Sequence, residues 1–134
     1  MRITADTNVL LRAAVMEDPT QGAVAAEALL KAEAVAVTLP SLCEFVWVLT
    51  RGYKKRANEI AAAVRTLIES ASVLVDRPAV EAGLAVLERG GDFADGVIAF
   101  EGRRAGGLIF ATFDRKAAAI VQATGGEARL LGER

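Results

Sequence analysis

Five carboxylates stand where a chain of alternating strands and helices would turn. They are Asp6 in ITADTN, Glu44 in LPSLCEFVWVL, Asp92 and Asp95 opening DFADGVIAFEGRR, and Asp114 two residues after Ala111-Thr112. The sequence holds no histidine and one cysteine, Cys43. That composition removes Ser-His-Asp and Cys-His nucleophilic catalysis, histidine acid/base chemistry, an intrachain disulfide and a cysteine-based zinc site. What remains must run on carboxylates, hydroxyls, lysine and arginine. Carboxylates gathered without cations repel and raise each other's pKa, and a divalent ion removes that conflict. All-oxygen ligation suits Mg²⁺ or Mn²⁺, which accept one or two carboxylates together with waters and phosphate oxygens. Such a site activates water and stabilises the attacking and leaving oxygens of an in-line displacement at phosphorus, which is phosphodiester hydrolysis.

The acids need elements to position them. Short apolar segments rich in β-branched residues, at 3–5, 34–38, 72–75, 108–112 and, weakly, 128–131, alternate with longer segments of helical period. That alternation favours parallel strands joined by helices. Helices are expected at 7–16, 19–33, 40–52, 56–70, 78–89, 93–105 and 115–124. Pro19, Pro40 and Pro78 stand at helix starts, where the missing N–H costs nothing, and the pairs Gly90-Gly91, Gly106-Gly107 and Gly125-Gly126 stand at helix ends. In an open parallel sheet, ligands bind beyond the carboxyl ends of the strands, which is where Asp6 and Asp114 fall.

Each acid also has a plain structural explanation. Asp6 (or Thr7) and Asp114 are favourable N-caps, worth about 1 kcal/mol each, and Asp92 with Asp95 has the spacing of a capping box. Glu44 sits among Cys43, Phe45, Trp47 and Val48 with no basic residue at i+3 or i+4. Its carboxylate therefore reaches water or a partner elsewhere, because burial unpaired is expensive. The basic residues are equally double-edged. Arg51, Lys54, Lys55 and Arg56 in RGYKKR, Arg103-Arg104, Arg115-Lys116 and Arg12 are placed to grip phosphates, with Tyr53 available for stacking. Charge runs at helix ends are also ordinary solvated faces that complement the helix dipole.

At 134 residues, 53% of them hydrophobic, the chain is sized for one domain spanning 1–134 with a real core. Its apolar runs are too short to span a membrane, and it opens directly into a strand with no charged-then-apolar leader, so a cytoplasmic location is expected. The net charge of −1 gives no global field for nucleic acid, leaving that role to local patches. A mean hydropathy of +0.34 and apolar segments at 29–30, 42–49 and 67–68 point to helical surface that meets another chain.

The strand end ADTNVLLR, the helix PSLCEFVWVL, DFADGVIA and ATFDRK, in this order, resemble PIN-domain ribonucleases, especially the VapC toxins of bacterial toxin–antitoxin pairs. The resemblance runs from Met1 to Leu131. It implies a three-layer α/β/α fold with a central, mainly parallel sheet of four to five strands. It also implies a Mg²⁺- or Mn²⁺-dependent endoribonuclease, a cognate antitoxin and a homodimer. Carried over, Asp6, Glu44, Asp95 and Asp114 become metal-binding catalytic acids, Asn8 and Thr112 hold acids or water by hydrogen bonds, and Asp92 supports them. Some members carry a further acid where this chain has Lys116.

Two other classes compete. A haloacid-dehalogenase-like phosphohydrolase also ends its first strand in an aspartate, but its Asp-x-Asp signature fails at Asn8. A phosphate-accepting receiver module would use Asp76 after SVLV, yet lacks its acidic pair and its late lysine. A PIN-like domain that binds without catalysis is the third alternative.

Overall fold

Seven helices and five strands follow one another as β1 (Arg2–Thr4), α1 (Thr7–Ala14), α2 (Pro19–Lys31), β2 (Ala34–Ala36), α3 (Leu39–Arg51), α4 (Ala57–Glu69), β3 (Val73–Leu74), α5 (Arg77–Glu88), α6 (Phe93–Ala105), β4 (Ile109–Thr112), α7 (Arg115–Ala123) and β5 (Glu127–Leu130) in a computed structural model that describes residues 1–132. The last two residues of the expected 1–134 domain lie outside the described residues. Every expected helix is present with ends shifted by no more than two residues. The chain forms two compact units, Met1–Asp76 and Arg77 onward. The five strands are all parallel to their neighbours and hydrogen-bond in groups of three and two.

In the first unit the order is β1-β2-β3, with Ile3 opposite Val35 and Val35 opposite Val73. Two of its helices, α2 and α3, begin on side-chain caps: Asp18 accepts from the Gln21 N–H at 3.1 Å and Thr38 from the Ser41 N–H at 3.3 Å. Leu10 of α1, Leu42 and Phe45 of α3, and Ile60 and Val64 of α4 are buried with Val35. This corrects the expectation that segments 42–49 and 67–68 form intermolecular surface. Leu42, Phe45, Val46, Leu49 and Ile68 recur at helical spacing on faces that their own unit buries, and Leu67 is half-buried. The large apolar side chains left outward include Leu30, 85% exposed, Val24 and Trp47, with Met1, Met16 and Leu74 also exposed.

The second unit holds the parallel pair β4-β5, with α7 as the crossover between them, and the packed helices α5 and α6. Gly90, Gly106 and Gly125 take left-handed conformations at or just beyond the ends of α5, α6 and α7, as their pairing at helix ends implies. Gly96 is required for a different reason: a Cβ there would fall on the backbone carbonyl of Ala82 in α5. Gly96→Ala should therefore destabilise the protein by about 1–2 kcal/mol in urea unfolding, because overpacking against backbone outweighs the gain of about 1 kcal/mol that alanine brings to a helix. A stabilised variant would show that α5 and α6 are not in this close contact.

Candidate active site

Two of the acids belong to the first unit. Asp6 is the N-cap residue of α1, in extended backbone, and its carbonyl accepts from Val9 and Leu10 N–H groups at 3.0 and 3.3 Å. Its carboxylate makes no capping bond and is exposed. Asn8 is exposed on the first turn of α1, whereas Thr7 beside it is buried. Glu44 lies in α3, exposed on the side away from Leu42, Phe45, Val46 and Leu49 and one turn before exposed Trp47. Of the apolar neighbours of Glu44, Phe45 thus belongs to the buried face while Trp47 shares the exposed one, and the Glu44 carboxylate reaches water. Because β1 and β2 are adjacent and parallel, α1 and α3 both start from the same edge of the three-stranded sheet. That places Asp6 at this edge and Glu44 on the helix leaving it.

The other three acids belong to the second unit. Asp92 caps α6, accepting from the Ala94 N–H at 3.1 Å. Asp114 caps α7, accepting from the Ala117 N–H at 3.0 Å. Thr112 Oγ1, the last side chain of β4, accepts from the Asp114 N–H at 3.0 Å and so fixes the turn that carries the carboxylate. Asp95, in the first turn of α6, donates its N–H to the Asp92 carbonyl at 3.0 Å. No return bond from its side chain completes a capping box. Asp95 is half-buried and its pKa is raised, first by burial and then by the negative charges of Asp92 and Asp114. Asp92 and Asp114 are therefore both within electrostatic reach of Asp95, and its ionised form is disfavoured.

Among the described residues, no three acidic or cysteine side chains stand close enough to enclose a metal ion. That is short of a preformed cage. It still fits Mg²⁺ or Mn²⁺ in kind, since these ions keep much of their water and take one or two carboxylates each. Oxygen donors are what the second unit provides, with the charges of Asp92 and Asp114 both opposing ionisation of half-buried Asp95.

The basic residues divide differently. Arg51, Lys54, Lys55 and Arg56 are exposed around the turn between α3 and α4, and Lys116 and Arg115 are exposed on the first turn of α7. Arg104 instead stacks over Phe100, 4.7 Å from the ring centre. Tyr53 is half-buried in the turn between α3 and α4. The Glu17 carboxylate facing its hydroxyl raises the phenol pKa, with burial adding to the rise and nearby Arg12 opposing it. Arg12 is half-buried beside this pair. The link between Tyr53 and Glu17 carried no local signal, because it joins two loops far apart in sequence. A cavity of about 180 Å³ within the second unit, lined by Ala82, Ala85, Ala99, Phe100 and Val121, also went unforeseen. Its small residues recur at helical spacing, which is the one clue the sequence holds.

No helix among the described residues is long and apolar enough to cross a membrane. A model of the PIN domain family matches residues 3–122, through both compact units. PIN domains are a nuclease fold, typically dependent on divalent metal ions. A search of curated proteins gives no match.

Proposed function

The chain belongs to the PIN domain family, and from that premise we propose that it is a metal-dependent endoribonuclease, the toxin of a type II toxin–antitoxin pair, working in the cytoplasm as one PIN-like domain. The observation that carries the catalytic part is Asp95, a half-buried carboxylate whose ionisation is opposed by Asp92 and Asp114. A site that gathers negative charge at a cost in the free protein is arranged for a cation.

Asp6, Glu44, Asp95 and Asp114 are assigned as the ligands of Mg²⁺ or Mn²⁺, by resemblance to the family's ordered acids. Such an ion, when bound, supplies a water of lowered pKa and a Lewis acid for phosphate oxygens. The protein's own groups do the positioning. Thr112 holds the Asp114 turn. Asp92, engaged as a helix cap, adds charge beside Asp95 without leaving its own place. Asn8, exposed one residue past buried Thr7, is free to orient water or substrate at the start of α1. Lys116 in place of a further acid favours fewer bound ions. A cognate antitoxin and a homodimer complete the proposal, and exposed Val24 and Leu30 on α2 and Trp47 on α3 are apolar side chains such contacts would cover.

Incubation of the purified chain with total RNA tests this reading. Cleavage in Mn²⁺ that stops in excess EDTA is the expected result. RNA left intact in Mn²⁺, with the protein folded and free of any partner, would refute it.

A further inference from the structure

We propose that the turn joining α3 to α4, carrying Lys54, Lys55 and Arg56 with Arg51 beside them, is a binding surface for the phosphate backbone of single-stranded RNA. The choice of RNA as ligand rests on the ribonuclease reading, while the site itself lies wholly within the first unit.

Ordinary helix electrostatics account for only one of these four cations. Arg51 ends α3, where a positive charge complements the dipole. Arg56 is the N-cap residue of α4, and Lys54 and Lys55 immediately precede it. Those are the positions where a cation opposes the dipole and where acidic residues are favoured. Three positive side chains and the positive end of α4 thus reinforce one another. Glu59 offsets part of this through its bond from the Arg56 N–H, at 2.9 Å. None of the four cations forms an ion pair with a described residue, although ion pairs do form elsewhere, as between Lys31 and Glu27 at 3.1 Å. In a chain of net charge −1, this is a local concentration of unneutralised positive charge.

The turn is also held in shape. The N–H groups of Gly52 and Tyr53 both donate to the Val48 carbonyl, at 2.7 and 3.2 Å, and Lys55 N–H donates to the Leu49 carbonyl at 3.0 Å. Lys54 adopts a φ of 55°, a left-handed conformation that glycine takes more easily. A lysine there keeps a charge at a position where the backbone alone would favour glycine. Four exposed cations on a fixed turn match a flexible polyanion, whose phosphates bind by releasing counterions and need no particular base.

The test is the affinity of the purified protein for a fluorescein-labelled single-stranded RNA, by polarisation across a salt series in EDTA, so that binding is read without cleavage. The triple variant K54A/K55A/R56A should lower the slope of log affinity against log salt by about 2, and weaken binding at about 0.1 M salt by at least about 10-fold. Lys54→Gly, which relaxes the backbone while removing a charge, should keep or raise the melting temperature yet lower the slope by about 0.7. That variant decides the matter if the triple variant is unstable. Lys31→Ala, which removes a cation already paired, should leave the slope unchanged. A wild type that does not bind RNA, or slopes in both turn variants equal to wild type, would overturn the proposal. RNA binding retained with loss of an acidic protein partner would instead make the turn a protein contact. Intact cleavage in Mn²⁺ with unchanged slopes would remove this site alone. Salt-dependent binding without any cleavage would remove the ribonuclease reading and leave the site standing.

Discussion

Asp95→Asn is expected to leave the metal-free protein at least as stable as wild type, to abolish most of its stabilisation by Mn²⁺, and to lower RNA cleavage by at least about 100-fold. The first expectation follows from the direction of the Asp95 pKa. A negative charge in the first turn of α6 interacts favourably with the helix dipole, by about 0.3–1 kcal/mol at exposed positions. The net shift is nevertheless upward from the ordinary value of 3.8, so burial and the charges of Asp92 and Asp114 outweigh that benefit. The folded state then binds the Asp95 proton more tightly than the unfolded chain does. That contribution to stability is present below the unfolded pKa and is lost as pH rises through the folded pKa. The advantage of asparagine should accordingly appear at neutral pH and vanish below the ordinary aspartate range. For wild type, Mn²⁺ at ten times its dissociation constant adds about 1.4 kcal/mol, or roughly 3–6 °C in melting temperature for a domain of this size. Parallel melting and cleavage measurements read out all three effects. An Asp95→Asn protein that keeps the full Mn²⁺ shift and the activity has lost nothing that binds metal, and the assignment of Asp95 fails.

Asp114 allows structure and chemistry to be separated at one position. Its carboxylate caps α7 through the Ala117 N–H. Asparagine caps about as well as aspartate, so Asp114→Asn should hold the fold within a few tenths of a kcal/mol while cleavage falls by about 100-fold or more. Asp114→Ala should lose the same activity and about 1 kcal/mol of stability besides. Asp6 supplies the contrast. It occupies the same place relative to α1 but makes no capping bond, so Asp6→Ala should cost activity without the stability loss seen in Asp114→Ala. Urea unfolding and RNA cleavage of these three variants form the measurement. Equal activity in Asp114→Asn and wild type would reduce Asp114 to a helix cap.

The elements themselves were legible because local chemistry announces them. Pro19, Pro40 and Pro78 lie in the first turns of α2, α3 and α5, and Gly90, Gly106 and Gly125 are left-handed at helix ends. These constraints are written into single residues, and no distant partner is needed to decode them. The acids at the strand ends were legible for the same reason, since a cap position and a ligand position coincide at the start of a helix. Which of the two a given carboxylate serves was not. Asp6 and Asp114 look alike in sequence, yet one caps and the other does not, a difference set by side-chain geometry at each turn. Nor did composition distinguish core from surface along LCEFVWVL, where Leu42, Phe45 and Val46 turn inward and Glu44 and Trp47 outward. The pairing of Tyr53 with Glu17, and the influence of Asp114 on Asp95, depend on tertiary packing.

Analysis of the ends left on cleaved RNA tests the central claim most directly. Hydrolysis by a water activated at a carboxylate-held metal, in a protein without histidine, predicts products with a 5′ phosphate and a 3′ hydroxyl, formed in Mn²⁺ or Mg²⁺ and not in excess EDTA. Products ending in a 2′,3′-cyclic phosphate, or full activity in EDTA, would contradict it.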